Sequence, residues 1–198
     1  MTAFYGSDIT AAILAGGEGR RVGGGDKGLL RLGGTPLIEH VVERLLAQAG
    51  AILICANRNA DEYARFGQVL ADVGQGFHGP LAGIANALDH SSTPWVLTVP
   101  VDAPNPAQDL AERLHAAATA TDAAAAVAHD GVRRQPLFAL YRVDLAHVAA
   151  EALKADRPVW RWQDEIGAVE TDFSDRAQSF ANLNTLEEFR EWERHHAG

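Results

Sequence analysis

Ile9-Thr10-Ala11-Ala12-Ile13-Leu14-Ala15-Gly16-Gly17-Glu18-Gly19-Arg20-Arg21-Val22-Gly23-Gly24-Gly25-Asp26-Lys27-Gly28 is the stretch on which the fold turns. Its first seven residues form a short apolar run stopped by glycine, the pattern of a fully buried strand. Glycine then recurs densely enough for backbone N–H groups to converge on an anion. Arg20, Arg21, Lys27 and Arg31 add four cations nearby. Arg21 can grip phosphate as a fork and Lys27 as a mobile point charge. A solvated basic loop is the plainer alternative. Lys27 is followed by Gly28, so the nucleotide loop that needs Lys followed by Ser or Thr is excluded. Gly23-x-Gly25-x-x-Gly28 matches a dinucleotide fingerprint only formally, because it does not directly follow a strand and no helix begins there.

Beyond this stretch the chain alternates strand and helix. Pro36 to Ala49 carries an apolar stripe at Leu37, Ile38, Val41, Val42, Leu45 and Leu46, which predicts a helix capped by Thr35 with Pro36 in first position. Strands are expected at Ala51 to Ala56, Gln68 to Ala71, Trp95 to Val99, Ala123 to Ala128 and Leu137 to Tyr141. Helices are expected at Ala60 to Phe66, Pro80 to Asp89, Ala107 to Thr119, Val143 to Lys154 and Thr185 to His196. Strands this apolar, separated by helices, imply an α/β fold with a mainly parallel central sheet covered on both faces. In such sheets ligands sit beyond the carboxyl ends of the strands. The loops after Ala15 and after Val99 both leave such ends, so they should meet on one rim. No repeat or linker interrupts the pattern, and a single domain over residues 1–198 is expected.

The chain is 47% hydrophobic and 22% charged over 198 residues, the balance of a protein with a real core. No apolar run approaches the ~20 residues of a membrane span, and the first eight residues lack the basic start of a signal peptide. Cys55 stands alone, which excludes an internal disulfide or a cysteine-built zinc site. These features favour the cytoplasm. A formal net charge of −9 argues against general nucleic-acid binding, and with Lys27 and Lys154 the only lysines, positive charge for an anionic ligand must be local.

Leu14-Ala15-Gly16-Gly17, Arg21-Val22-Gly23 and Asp26-Lys27-Gly28 together resemble the signature loop of nucleotidyltransferases. Further motifs are similar to those of the molybdenum cofactor guanylyltransferases. They are Gly33-Gly34-Thr35-Pro36-Leu37, Ala56-Asn57-Arg58, Gly79-Pro80-Leu81-Ala82-Gly83, Pro100-Val101-Asp102-Ala103-Pro104, Gln135-Pro136-Leu137-Phe138 and Phe180-Ala181-Asn182-Leu183-Asn184-Thr185. The resemblance implies a three-layer, Rossmann-like nucleotidyltransferase fold. It implies transfer of GMP from GTP to molybdopterin, with Mg²⁺ as cofactor. By the same resemblance Leu14, Ala15, Gly16 and Gly17 hold the nucleotide together with Asn57 and Asp72. Lys27 contacts phosphate, Asp102 binds the metal, and Arg21, Lys27 and Asp102 carry the chemistry. Gly79, Pro80, Gly83, Arg134, Asn182 and Asn184 fall to the acceptor. A monomer is expected, in transient contact with molybdenum-cofactor insertion proteins or target enzymes.

The residues themselves leave alternatives open. On spacing alone Asp102 reads as a turn former between Pro100 and Pro104, and Asp72 as an ordinary loop aspartate. Asp26 could be a structural partner of Arg20 or Arg21. Cys55 replaces a polar residue common in the family and reads as core, with Asn57 available for its task. Arg133-Arg134 fits a solvated hairpin, and Trp160, Trp162 and Trp192 fit packing better than stacking on a pterin. The histidines show no metal-ligand clustering. Rival activities are a related transferase using CTP or a sugar-phosphate acceptor, and a non-catalytic nucleotide or cofactor carrier. Gly16, where cytidylyltransferase relatives carry alanine, favours guanine.

Overall fold

Every residue of Ile9–Leu14 is buried, and this strand, β1, lies at the heart of a seven-stranded sheet. The computed structural model describes residues 4–16, 26–71 and 79–196. The other strands are β2 (Arg31–Leu32), β3 (Thr35–Pro36), β4 (Ala51–Cys55), β5 (Gln68–Leu70), β6 (Trp95–Pro100), β7 (Ala125–His129), β8 (Arg134–Arg142) and β9 (Val169–Asp172). The helices are α1 (Leu37–Leu45), α2 (Ala60–Tyr63), α3 (Pro80–His90), α4 (Leu110–Ala120), α5 (Ala146–Lys154), α6 (Val159–Glu165) and α7 (Leu186–His196).

The sheet order is β5-β4-β1-β6-β8-β7-β9. Pairings are parallel except along β8, which runs antiparallel to both β6 and β7. The period of two along β1 divides the core. Ala11 and Ile13 face Ile38, Val41 and Leu45 of α1 and Leu110 and Leu114 of α4. Ala12 and Leu14 face Leu81 and Ile84 of α3, Ala149 of α5 and Trp162 of α6. These are the three layers the apolar strands imply.

From β1 the chain moves outward through β4 to β5, then returns to add β6 on the other side of β1. The order therefore reverses between β1 and β6, and a crevice opens there at the carboxyl ends. Leu14 is in register with Pro100 at that edge. Val101 N–H donates to the Leu14 carbonyl at 3.1 Å, and Ala15 N–H donates to the Cys55 carbonyl at 2.9 Å. The loops leaving β1, β4 and β6 are thus stitched together where a ligand would enter.

Several local expectations are corrected. Thr35 does not cap α1. It belongs with Pro36 to β3, which pairs with β2 across Gly33 and Gly34, both at positive φ. Pro36, at φ −60° and ψ 145°, is the N-cap: the ring sets a φ that suits a helix, but ψ is still extended where the residue pairs with Arg31. The helix expected from Ala107 begins at Leu110, and Val143–Leu145 forms a 3-10 turn ahead of α5. Two further elements, α6 and β9, carry no clear sequence signal. The period of α6 is too short to register, and β9 is a polar edge strand with alternate residues exposed. Among the described residues no helix is long and apolar enough to cross a membrane.

Candidate active site

Lys27 opens a 3-10 turn, Lys27–Leu29, whose N-cap is Asp26. The Asp26 side chain accepts from Gly28 N–H at 3.2 Å, from Asn59 Nδ2 at 2.9 Å and from Tyr63 Oη at 2.5 Å. With its backbone fixed in this way, Lys27 sends its ammonium across the crevice. Nζ lies 2.7 Å from Asp102 Oδ2 and 2.7 Å from Asn184 Oδ1. The side chains of Lys27 and Asp102 are each 21% exposed, so the pair sits at the mouth of the site, reachable by a ligand.

Asp102 lies in the turn that leaves β6. Its carbonyl accepts from Leu183 N–H at 2.8 Å, which ties the turn to the segment carrying Asn184. Asp102 Oδ1 is buried and has no hydrogen-bond partner among the described residues. A buried carboxylate oxygen without a donor is costly, and a hard cation satisfies it. Among the described residues no cluster of three metal-ligating side chains exists. Mg²⁺ does not need one, since it is commonly held by one or two carboxylates plus substrate phosphates and water. The donor set fits that ion.

Asn184 is placed by a capping box at the start of α7. Glu188 Oε2 accepts from the amides of Asn184 at 2.5 Å and Thr185 at 2.8 Å, while Thr185 Oγ1 accepts from Glu188 N–H at 3.2 Å. The Asn184 amide is the main reason the Glu188 carboxyl titrates below its ordinary range. Desolvation opposes the shift, and the Thr185 donors and the nearby Lys27 charge add to it. The helix then docks on the β2–β3 hairpin and α1. Leu183 and Phe189 pack with Leu32 and Leu37, Trp192 meets His40 edge-on at 5.6 Å, and Gly33 N–H donates to Glu193 at 2.8 Å.

The expected site residues distribute as follows. Lys27, Asp102 and Asn184 are in mutual reach, and Leu14, Ala15 and Gly16 line the adjoining end of β1. Arg21, Gly17 and Asp72 lie outside the described residues. Asn57 is exposed in the turn after β4. Gly79, at φ 69°, caps α3, with Pro80 opening that helix. Gly83 is buried within α3. A Cβ there would lie 2.9 Å from Leu14 Cδ2 and 3.2 Å from Cys55 Cβ, so the position serves close helix–sheet approach. Cys55 is in the core, and its thiol donates to the Gly83 carbonyl at 3.3 Å. Asn182 is exposed beside the site. Arg134 is ion-paired at 2.5 Å with Asp164 and 2.9 Å with Glu170. Burial disfavours its charge, but those two hydrogen-bonded carboxylates win and raise its pKa. Trp162 is buried in the core and Trp160 is half exposed. Asp26 pairs with Tyr63 and Asn59. Neither partner was singled out from sequence. The signal was there in α2, where Tyr63 is the one large apolar side chain of a polar turn.

Residues 11–169 match the MobA-like NTP transferase domain. The chain belongs to the MobA-like NTP transferase family. It is a nucleotidyltransferase by that membership. It is 46% identical over 182 residues to the molybdenum cofactor guanylyltransferase of Vibrio parahaemolyticus, covering 91% of this chain and 92% of the relative. It is 44% identical to the Shewanella loihica protein of the same name, covering 91% and 93% of the two chains. In fold it is similar to molybdopterin-guanine dinucleotide biosynthesis protein A of Archaeoglobus fulgidus. That likeness has a TM-score of 0.79 at 23% identity, over 95% of this chain and 98% of the other. The mainly parallel three-layer sheet is therefore the fold this family shares.

Proposed function

We propose that the chain transfers the guanylyl group of GTP to the phosphate of molybdopterin, forming the guanine dinucleotide form of the cofactor and releasing pyrophosphate. The observation that carries this reading is the meeting of Lys27, Asp102 and Asn184 at the β1/β6 crevice of a chain so similar to guanylyltransferases. The loop after β1 supplies backbone amides to the nucleotide, with Gly16 leaving room beside the base and Gly17, Asn57 and Asp72 completing that half. Lys27, with Arg21, neutralises charge on the triphosphate and on the departing pyrophosphate. Asp102 would hold Mg²⁺ through Oδ1, the oxygen without a hydrogen-bond partner among the described residues, and the ion would supply charge neutralisation at the phosphates.

The acceptor phosphate is already a dianion near neutral pH, its second pKa being about 6. It attacks the α-phosphorus through an oxygen, the bond to the β-phosphate breaks, and pyrophosphate carries away the charge. No general base is required, so catalysis rests on positioning and electrostatics. Asn184, placed beside Lys27 by the Glu188 capping box, belongs to the acceptor side with Asn182 and the α3 start at Gly79 and Pro80.

The test is a substrate panel. The purified protein is incubated with Mg²⁺ and GTP or CTP, and with molybdopterin or sugar phosphates. Guanine dinucleotide and stoichiometric pyrophosphate from GTP and molybdopterin alone are expected. A cytosine or sugar product would move the assignment to a rival transferase, and GTP binding without pyrophosphate release would make the chain a carrier.

A further inference from the structure

The lysine turn is held by groups that the proposed chemistry does not use. Tyr63 is fully buried, and its hydroxyl donates to Asp26 Oδ1 at 2.5 Å. A buried phenol needs such a partner, and burial together with the Asp26 charge keeps the proton on Tyr63 throughout the physiological range. Asn59 donates to Asp26 Oδ2 at 2.9 Å. The same residue starts α2, its carbonyl accepting from the amides of Glu62 at 3.0 Å and Tyr63 at 3.1 Å. Asp26 thus has both carboxylate oxygens occupied by one short helix.

The contact continues past Lys27. A Cβ at Gly28 would collide with Tyr63 Oη and would lie 2.8 Å from Val101 Cγ2. The backbone of residue 28 is therefore wedged between Tyr63 and the residue preceding Asp102. Val101 is itself tied to β1 through Leu14. One closed path links Tyr63, Asp26, Lys27, Gly28, Val101 and Asp102, and it fixes the distance between the ammonium and the carboxylate.

We infer that Tyr63 and Asn59, acting through Asp26, are positioning residues that set where the Lys27 ammonium stands relative to Asp102 and so to the phosphates of a bound nucleoside triphosphate. The inference rests on the reading of Lys27 as the phosphate-neutralising group. Neither residue touches substrate. Each holds the backbone from which Lys27 reaches, and loss of either donor lets the turn relax by fractions of an ångström, the scale on which charge stabilisation of a phosphoryl transfer decays.

The presence of only two lysines makes this directly observable. In full-length protein labelled with ¹³C at lysine Cε, one signal belongs to Lys154, which lies on the surface beside Glu151, and a Lys154→Arg variant identifies it. In Tyr63→Phe the ring remains and only the hydroxyl is lost. The Lys27 signal is expected to move toward that of the solvated Lys154, and turnover to fall about tenfold. Asn59→Gly is the second variant, since glycine tolerates the φ of 54° while removing the amide. It should shift Lys27 in the same direction. A folded Tyr63→Phe or Asn59→Gly protein whose Lys27 signal stays in place would overturn the inference, whatever its turnover. A moved Lys27 signal in a protein whose wild type makes no guanine dinucleotide would uphold the clamp and reject the proposed function instead.

Discussion

The Lys27 ammonium and the Asp102 carboxylate, 75 positions apart in sequence, stand 2.7 Å from each other at the carboxyl ends of β1 and β6. This juxtaposition follows from topology. The return of the chain from β5 to β6 places the two loops side by side, and the Val101–Leu14 hydrogen bond sets their spacing. In the proposed reaction Lys27 and the metal ion share the negative charge that Asp102 and the triphosphate bring to one place.

Asp102→Asn keeps the shape of the side chain and removes its charge. Binding of Mn²⁺ in the presence of GTP, followed by electron paramagnetic resonance, is expected to weaken at least about tenfold, since a carboxylate ligand is worth more than a kcal/mol to a hard cation. Undiminished binding would take Asp102 out of the metal site.

Gly28→Ala places a methyl group against Tyr63 and Val101. Overpacking of this kind costs about 1–3 kcal/mol, to be read as a lower urea midpoint with unchanged slope. Because part of the clash is with the Tyr63 hydroxyl, Tyr63→Phe in the Gly28→Ala background should be less destabilising than Tyr63→Phe alone. Additive effects would place the clash elsewhere.

Glu188 gives the tail a dependence on acid. Its carboxyl is depressed below the ordinary glutamate range, chiefly by the Asn184 amide. The charged form is bound more tightly in the folded chain than in the unfolded one. The contribution is therefore complete above the ordinary range and is lost as pH falls through the lowered value. Acid titration of wild type should loosen α7, seen as lower protection factors at the Asn184 and Thr185 amides once the intrinsic pH dependence of exchange is divided out, while Glu188→Gln should start looser and show less change. Equal acid sensitivity in the two proteins would remove Glu188 as the cause.

Phe189→Ala removes a buried ring from the small cluster with Leu32, Leu37 and Leu183. A loss of about 3–5 kcal/mol is the ordinary range for a fully packed phenylalanine. The satellite position of this cluster puts the effect at the low end, in the docking of α7. Hydrogen exchange should rise in α7 and the β2–β3 hairpin and remain unchanged in β1. A uniform rise over the whole sheet would show the tail to be part of the main cooperative unit.

Much of this was legible in the residues. The apolar run before Gly16 is a strand because only burial on both faces tolerates it, and the parallel order follows. Both rim loops were visible as breaks after strands. What the sequence hid was long-range pairing. Nothing in Asp26 announces that Tyr63 and Asn59 are among its partners, because that pairing is made by where α2 packs. Arg134 looked available for an anion, yet Asp164 and Glu170, from an unforeseen helix and strand, approach it from both sides. Thr35 had the chemistry of a cap, but Gly33 and Gly34 at positive φ made a hairpin there instead.

The most direct measurement is the rate of guanine dinucleotide formation by Lys27→Met, alongside its circular dichroism and unfolding midpoint. Methionine keeps the length of the side chain and deletes the charge facing the phosphates. Turnover about 10²–10³-fold lower in a protein that folds as wild type is expected, the scale seen when one preorganised charge-stabilising group is removed. Wild-type turnover in a folded Lys27→Met protein would contradict the binding of the triphosphate beside the Lys27–Asp102 pair.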